Sequence, residues 1–182
     1  MLVYSLLCVA LATGNALFWL HKWHEQGVEL CFADTMMTGV QPSFLLMLLI
    51  PPTLGLVHQL KFILEQPFVI CALDNRARLA RNLLAALLFI AFRAVMAVSI
   101  PSIALGALLF RGGKPCTWES GASYYAYMTG QTLITPVKTG SLIVWQAMTI
   151  WLTVLLVSIL FLSINLSCES HQLGSILSWG VC

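Results

Sequence analysis

Glu65-Gln-Pro-Phe-Val-Ile-Cys-Ala-Leu-Asp-Asn-Arg-Ala-Arg-Leu-Ala-Arg-Asn82 separates two long apolar segments and gathers three arginines, Arg76, Arg78 and Arg81, close together. Lys and Arg collect in cytoplasmic loops because their translocation is disfavoured, so this cluster, with Lys61 just before it, sets the orientation of the chain on either side. Pro67 breaks a helix, Asp74 or Asn75 can cap a new one, and the first turns of that helix carry the three arginines before an apolar run begins. The stretch reads as an amphipathic elbow helix at the cytoplasmic membrane surface.

The composition around it fits a membrane setting. Of 182 residues, 59% are hydrophobic and 9% charged, with a mean hydropathy of +0.90, against about 25% charged residues in soluble domains. At roughly 20 apolar residues per helical crossing, the chain holds four spans, at about residues 2–20, 44–64, 83–110 and 141–166. The expected fold is therefore all-α: a polytopic transmembrane helical bundle forming a single membrane domain, its surface in contact with lipid. The net charge of +2 is too small and too local to point to nucleic acid. There is no internal repeat.

Each span carries a few informative residues. The first is interrupted by Asn15 and ends in Trp19, His21, Lys22 and Trp23, an aromatic and cationic border of the kind found at membrane interfaces. A signal peptide is the rival reading, but no positive charge precedes the apolar run. His21, His24 and Glu25 share helical spacing that can bind zinc; beside two tryptophans they read better as interfacial residues, and no metal is expected. Residues 21–43, poor in Lys and Arg, are expected to form a polar loop outside the membrane.

In the second span Pro51 and Pro52 remove backbone donors and introduce a kink. Lys61 is expected to snorkel to the interface, whereas His58, one turn deeper, is expected to face other protein. The third span, kinked at Pro101, holds Arg93 near mid-membrane, where a charge costs at least ~2.5 to 3.5 kcal/mol. No acid lies within any span. Arg93 must then meet a water-filled cavity, backbone carbonyls, a polar side chain such as Asn15 or His58, or an acid of another chain. Residues 111–140 return to the outer side, with Tyr124, Tyr125 and Tyr127 on a short interfacial helix. The fourth span begins with Trp145 and Trp151 and leads into a short cytoplasmic tail.

The six cysteines are scattered without zinc or redox spacing. Cys31 and Cys116 fall on the same outer face, so a disulfide between them is open in an oxidising compartment. Asn165-Leu166-Ser167 matches a glycosylation sequon, but lies inside on this topology.

The order of features from Phe44 onward resembles the permease subunits of ABC-2-type exporters, in particular small permeases of bacterial antibiotic-peptide and immunity systems. The resemblance rests on Ile50-Pro51-Pro52 in the second span and on Asp74-Asn75-Arg76-Ala77-Arg78-Leu79-Ala80-Arg81-Asn82 leading directly into a long third span. It implies a bacterial cytoplasmic membrane and a soluble nucleotide-binding ATPase docked on the elbow at Arg76, Arg78 and Arg81; since such permeases usually have about six spans, the last pair is either missing from this sequence or supplied by a second membrane subunit. It also implies that this chain itself binds no ATP, in line with the absence of a G-x-x-x-x-G-K-[ST] motif; no cofactor or catalytic residue is expected. Arg93, His58 and Asn15 would then belong to a translocation path or an inter-subunit contact. Two other classes stay open from the residues alone. One is a non-catalytic assembly subunit of a larger complex. The other is an intramembrane enzyme, for which paired cysteines or a positioned base are missing.

Overall fold

The computed structural model describes residues 2–64, 76–110, 123–130 and 139–179, with side chains of the last segment up to Asn165. It is a bundle of helices, and the only extended pairing among the described residues is an isolated bridge between Glu29 and Ser123. The order is α1 (Leu2–Glu25), α2 (Phe32–Thr38), a π-helical stretch (Phe44–Leu49) running into α3 (Ile50–Leu64), α4 (Arg76–Leu109), α5 (Tyr124–Thr129) and α6 (Thr139–Trp179). Four apolar stretches, Leu2–Glu25, Phe44–Ile63, Ala80–Leu109 and Gly140–Asn165, are long enough to cross a membrane. Among the described residues these are four helices of membrane-crossing length and composition, consistent with an integral membrane protein.

Each span turns one narrow stripe inward. On α1 the buried positions are Tyr4, Cys8, Ala12, Ala16, Leu20 and Trp23; on α6 they are Gln146, Ile150, Val154, Ser158 and Leu162. Residues four apart lie along one helix face, so a bundle this small buries one side of each helix and leaves Leu, Ile, Phe and Val on the other. Those outward residues, among them Leu6, Phe18, Phe92, Leu152 and Ile164, are exposed, as contact with lipid requires. The small Cys8 and Ala12 meet Ala91, Ala94 and Ala97 in one continuous core that draws α1 close to α4.

The contacts fix the relative directions of the spans. Ser5 of α1 meets Arg93 of α4, while Asn15 of α1 and Gly106 of α4 both meet α2, so α1 and α4 run parallel. Gln146 lies beside Ser102 and Ile150 and Val154 join the same core, placing α6 between its neighbours in the bundle. Tyr4 and Thr53 bond through their hydroxyls at 2.9 Å; since Thr53 gives its own proton to the Leu49 carbonyl, Tyr4 is the donor.

The two prolines of the second span are absorbed by a change of helix type. Just before them the chain widens into π turns, the Ile50 N–H reaching the Leu45 carbonyl. A π stretch shifts the ladder by one residue and accommodates the carbonyls that Pro51 and Pro52 leave without donors. In α4, Pro101 is held inside an otherwise continuous 34-residue helix.

Two expectations change. Residues 21–43 are not an open polar loop: α1 continues to Glu25, and after a turn at Gly27 (φ +74°) the chain folds back, so that α2 packs on α1, α4 and α6 with Ala33, Asp34, Thr35, Met36 and Thr38 buried. Lys61 is 7% exposed, not at the surface, because it continues the inward stripe of Leu49, Thr53 and Val57. The arginines of the elbow stand on the first turns of α4 itself, continuous with the span; residues 65–75 lie outside the described residues.

Candidate functional site

The chemistry of the bundle gathers around α2. Its seven residues are too few to hold a helix on propensity alone, so local bonds and packing hold it. The Cys31 N–H donates to the Asp34 carboxylate at 2.6 Å and the Asp34 N–H to the Cys31 carbonyl at 3.1 Å, an arrangement that satisfies a helix start and places the negative charge near its positive end. Thr35 donates to the Phe32 carbonyl and Thr38 to the Thr35 carbonyl. At the other end, Asn15 donates to the Thr38 carbonyl at 2.9 Å. Asn15 thus serves α2.

Two glycines make room for this helix. A methyl group on Gly39 would strike the Gln146 amide and come within 2.9 Å of Val98. On Gly106 it would lie 2.6 Å from the Phe32 ring and 2.8 Å from the Thr35 hydroxyl. Such approaches are closer than side chains tolerate, so α2 is seated directly against the backbone of α4.

Behind α2 runs a buried polar seam formed by Ser99 and Ser102 of α4 and Gln146 of α6. Gln146 is wholly buried, and its Nε2 reaches the Ser102 hydroxyl at only 3.5 Å. Ser102 gives its proton to the Val98 carbonyl. Among the described residues, Gln146 Oε1, Ser99 Oγ and, further along α6, Ser158 Oγ have no hydrogen-bond partner. Each buried polar atom left without a partner costs about 1–3 kcal/mol. The seam is therefore a place where a water or a polar solute would be stabilised.

The aromatic end of α1 closes over this side. Tyr124, at the start of α5, is buried with its ring 4.2 Å from that of Trp23, and Trp23 in turn packs on Trp19. Ser123 caps α5 through the Ala126 N–H, and Gly130 ends it at φ +69°. Burial pushes the pKa of the Tyr124 phenol up, with Gln41 partly offsetting the shift and Asp34 adding to it. The short aromatic helix exists, but its first tyrosine turns inward.

Arg93 occupies a different place. Half-buried, it lines a groove of about 630 Å³ between α1 and α4. Its Nη1 donates to Ser5 Oγ at 3.3 Å and its guanidinium lies 4.9 Å from the centre of the Phe89 ring. Neither Asn15 nor His58 meets it. His58 is exposed on α3, edge-on to Phe161 of α6. His21 and Glu25 form an exposed pair at 3.3 Å, and such pairs contribute little. Arg78 and Arg81 are exposed on α4. The Cys31–Cys116 pairing falls partly on Cys116, outside the described residues.

The sequence reading missed α2 and Gln146. The signals were present: between Leu30 and Val40 the charges stop except for Asp34, and Gln146 is a lone amide at the head of an apolar i, i+4 stripe. Comparison with protein-family models, curated proteins and solved structures finds no match for this chain.

Proposed function

We propose that the chain is the permease, or an accessory membrane subunit, of a multi-subunit transporter of the bacterial cytoplasmic membrane, driven by a soluble nucleotide-binding ATPase. One observation carries this reading. A single helix, α4, bears the exposed Arg78 and Arg81 at one end and, about 35 Å further along at 1.5 Å per residue, Val98, Ser102 and Gly106 against α2 and the seam. A push at the charged end is delivered to the seat of the folded-back helix. The polar seam behind α2 supplies the solute contacts, and the chain needs no catalytic group of its own.

The ATPase docks on the arginine end of α4. Reversing Arg76, Arg78 and Arg81 to Glu is expected to leave the complex unable to couple ATP hydrolysis to transport, or to release the ATPase. Because those charges also set orientation, the location of the α4 end is checked by accessibility labelling in the same membranes. A reversed chain that keeps its orientation, retains the ATPase and transports at the normal rate would overturn the reading.

A second reading, a non-catalytic assembly subunit, is favoured by the outward-facing Arg93 groove. It differs in one outcome: seam variants at Gln146 or Ser102 would leave transport by the assembled complex unchanged.

A further inference from the structure

Arg93 lies close to the middle of the Ala80–Leu109 span, about 20 Å from Ala80 and about 24 Å from Leu109 at 1.5 Å per residue. An arginine side chain does not bridge that distance to the headgroups, so snorkelling does not relieve the charge. What surrounds it is apolar: Val9 of α1 and Met96, Ile100, Ala104 and Leu108 of α4 line the groove. Ser5 and the Phe89 ring offer one long neutral hydrogen bond and one ring face. Among the described residues no carboxylate pairs with it. A guanidinium has five N–H donors and a full charge, and a charge in this setting is retained where an acid or a polar cavity meets it.

We infer that the groove between α1 and α4 seats a transmembrane helix of a different protein, which presents an Asp or Glu to Arg93 at mid-membrane depth. Three features choose this occupant. The groove opens sideways toward the surroundings of the bundle, along helices whose outer residues face lipid. A lipid phosphate stays at headgroup level, far from Arg93. A second copy of this chain has no acid to offer: Glu25 and Glu29 lie beyond the apolar part of α1, Asp34 is wholly buried as the cap of α2, and the remaining acids fall outside the apolar spans in sequence. The opposite charge must come from elsewhere, on an element that can lie along an apolar groove. This identifies the chemistry of the second membrane subunit in the proposed complex and rests on that reading, but its test involves no ATP or transport.

The test places a photo-activated benzophenone amino acid at Ile100, on the groove, or at Leu156, exposed on α6, in the full chain in its native membrane. Light is expected to join Ile100, and not Leu156, to one membrane protein. The cross-linked peptide, sequenced, is expected to be an apolar span with an Asp or Glu at the depth of Arg93. Arg93→Leu should lower the yield about tenfold, the scale of one interhelical polar contact in a membrane, while Arg93→Lys keeps most of it. Exchanging the charges, with Arg93→Asp in this chain and the partner's acid changed to Arg, should restore the adduct. If Arg93→Leu fails to reach the membrane, Arg93→Lys and the exchanged pair decide. Adducts with lipid only, with a second copy of this chain, or with a span lacking an acid would overturn the inference. So would a yield indifferent to Arg93→Leu.

Discussion

The two sides of α4 handle polarity in opposite ways. Toward α2 and α6 it presents Ser99, Ser102 and Gly106, all neutral, small and buried. Toward the α1 groove it presents Arg93, a full charge with a serine and a phenyl ring for company. Hydroxyls and amides can be satisfied by the chain's own carbonyls, and most of those around α2 are. A guanidinium cannot be neutralised that way. Neutral polarity is used inside the bundle, whereas the charge lines an open groove, where the inference above places an acid of another protein. On the function proposed above, the first side is the one that contacts solute and the second the one that joins the chain to a complex.

The largest effect is expected where α2 meets backbone. Replacing Gly39 or Gly106 with Leu puts a side chain into space already filled by Gln146 and Val98 or by Phe32 and Thr35. Overpacking of this kind costs about 1–3 kcal/mol; at Gly39 the nearest atom is the movable end of the Gln146 side chain, so the larger loss is expected at Gly106, against the Phe32 ring. Thermal unfolding in detergent should show a clear drop for both. An unchanged midpoint would mean that α2 is not clamped by α4, which would collapse the distinction between the two sides.

Next in size is Gln146→Leu. It removes a weak bond to Ser102 and an unpartnered buried oxygen together, so the stability change should stay within about 1 kcal/mol. Transport by the assembled complex should fall sharply all the same. Normal transport would leave the seam as packing only.

Arg93→Leu in the isolated chain is expected to be neutral or slightly stabilising, because no internal ion pair is lost. A large destabilisation of the isolated chain would show that Arg93 is satisfied internally, and would move it to the other side of the comparison.

The smallest effect concerns Tyr124. Its pKa is raised by burial, so the folded protein holds this proton more tightly than the unfolded chain. The sign follows: the stabilisation is fully present below the ordinary tyrosine value of about 10 and is lost as pH rises through the folded value. Tyr124→Phe should therefore flatten the alkaline loss of stability. Equal alkaline profiles for the two proteins would remove Tyr124 as its source.

Much of the fold was legible in the residues. Hydropathy over roughly 20 residues is a direct requirement of the bilayer, which is why the four spans stand out in the sequence. Arg93 was legible for the same reason, as a charge in an apolar run. The folding-back of α2 was not, because a short segment holding an acid and two threonines scores as polar whether water or the chain's own carbonyls satisfy it. Lys61 and Gln146 share a different lesson: each occupies an inward stripe at four-residue spacing, and register within the helix decides burial more than residue type does. His58, three positions before Lys61, falls on the outer side by that same register.

The proposed coupling requires the seam behind α2 to open when the arginine end of α4 is driven. Ser102 reports on it directly, being 2% exposed at rest. In a complex whose native cysteines have been replaced, Ser102→Cys is labelled with a charged, membrane-impermeant thiol reagent from the side on which α2 enters, with and without ATP. The account predicts a protected thiol at rest and labelling at least about tenfold faster during ATP turnover, equivalent to a shift of about 1.4 kcal/mol or more in the opening equilibrium. Equal labelling rates with and without ATP, in a complex shown to hydrolyse it, would contradict the account.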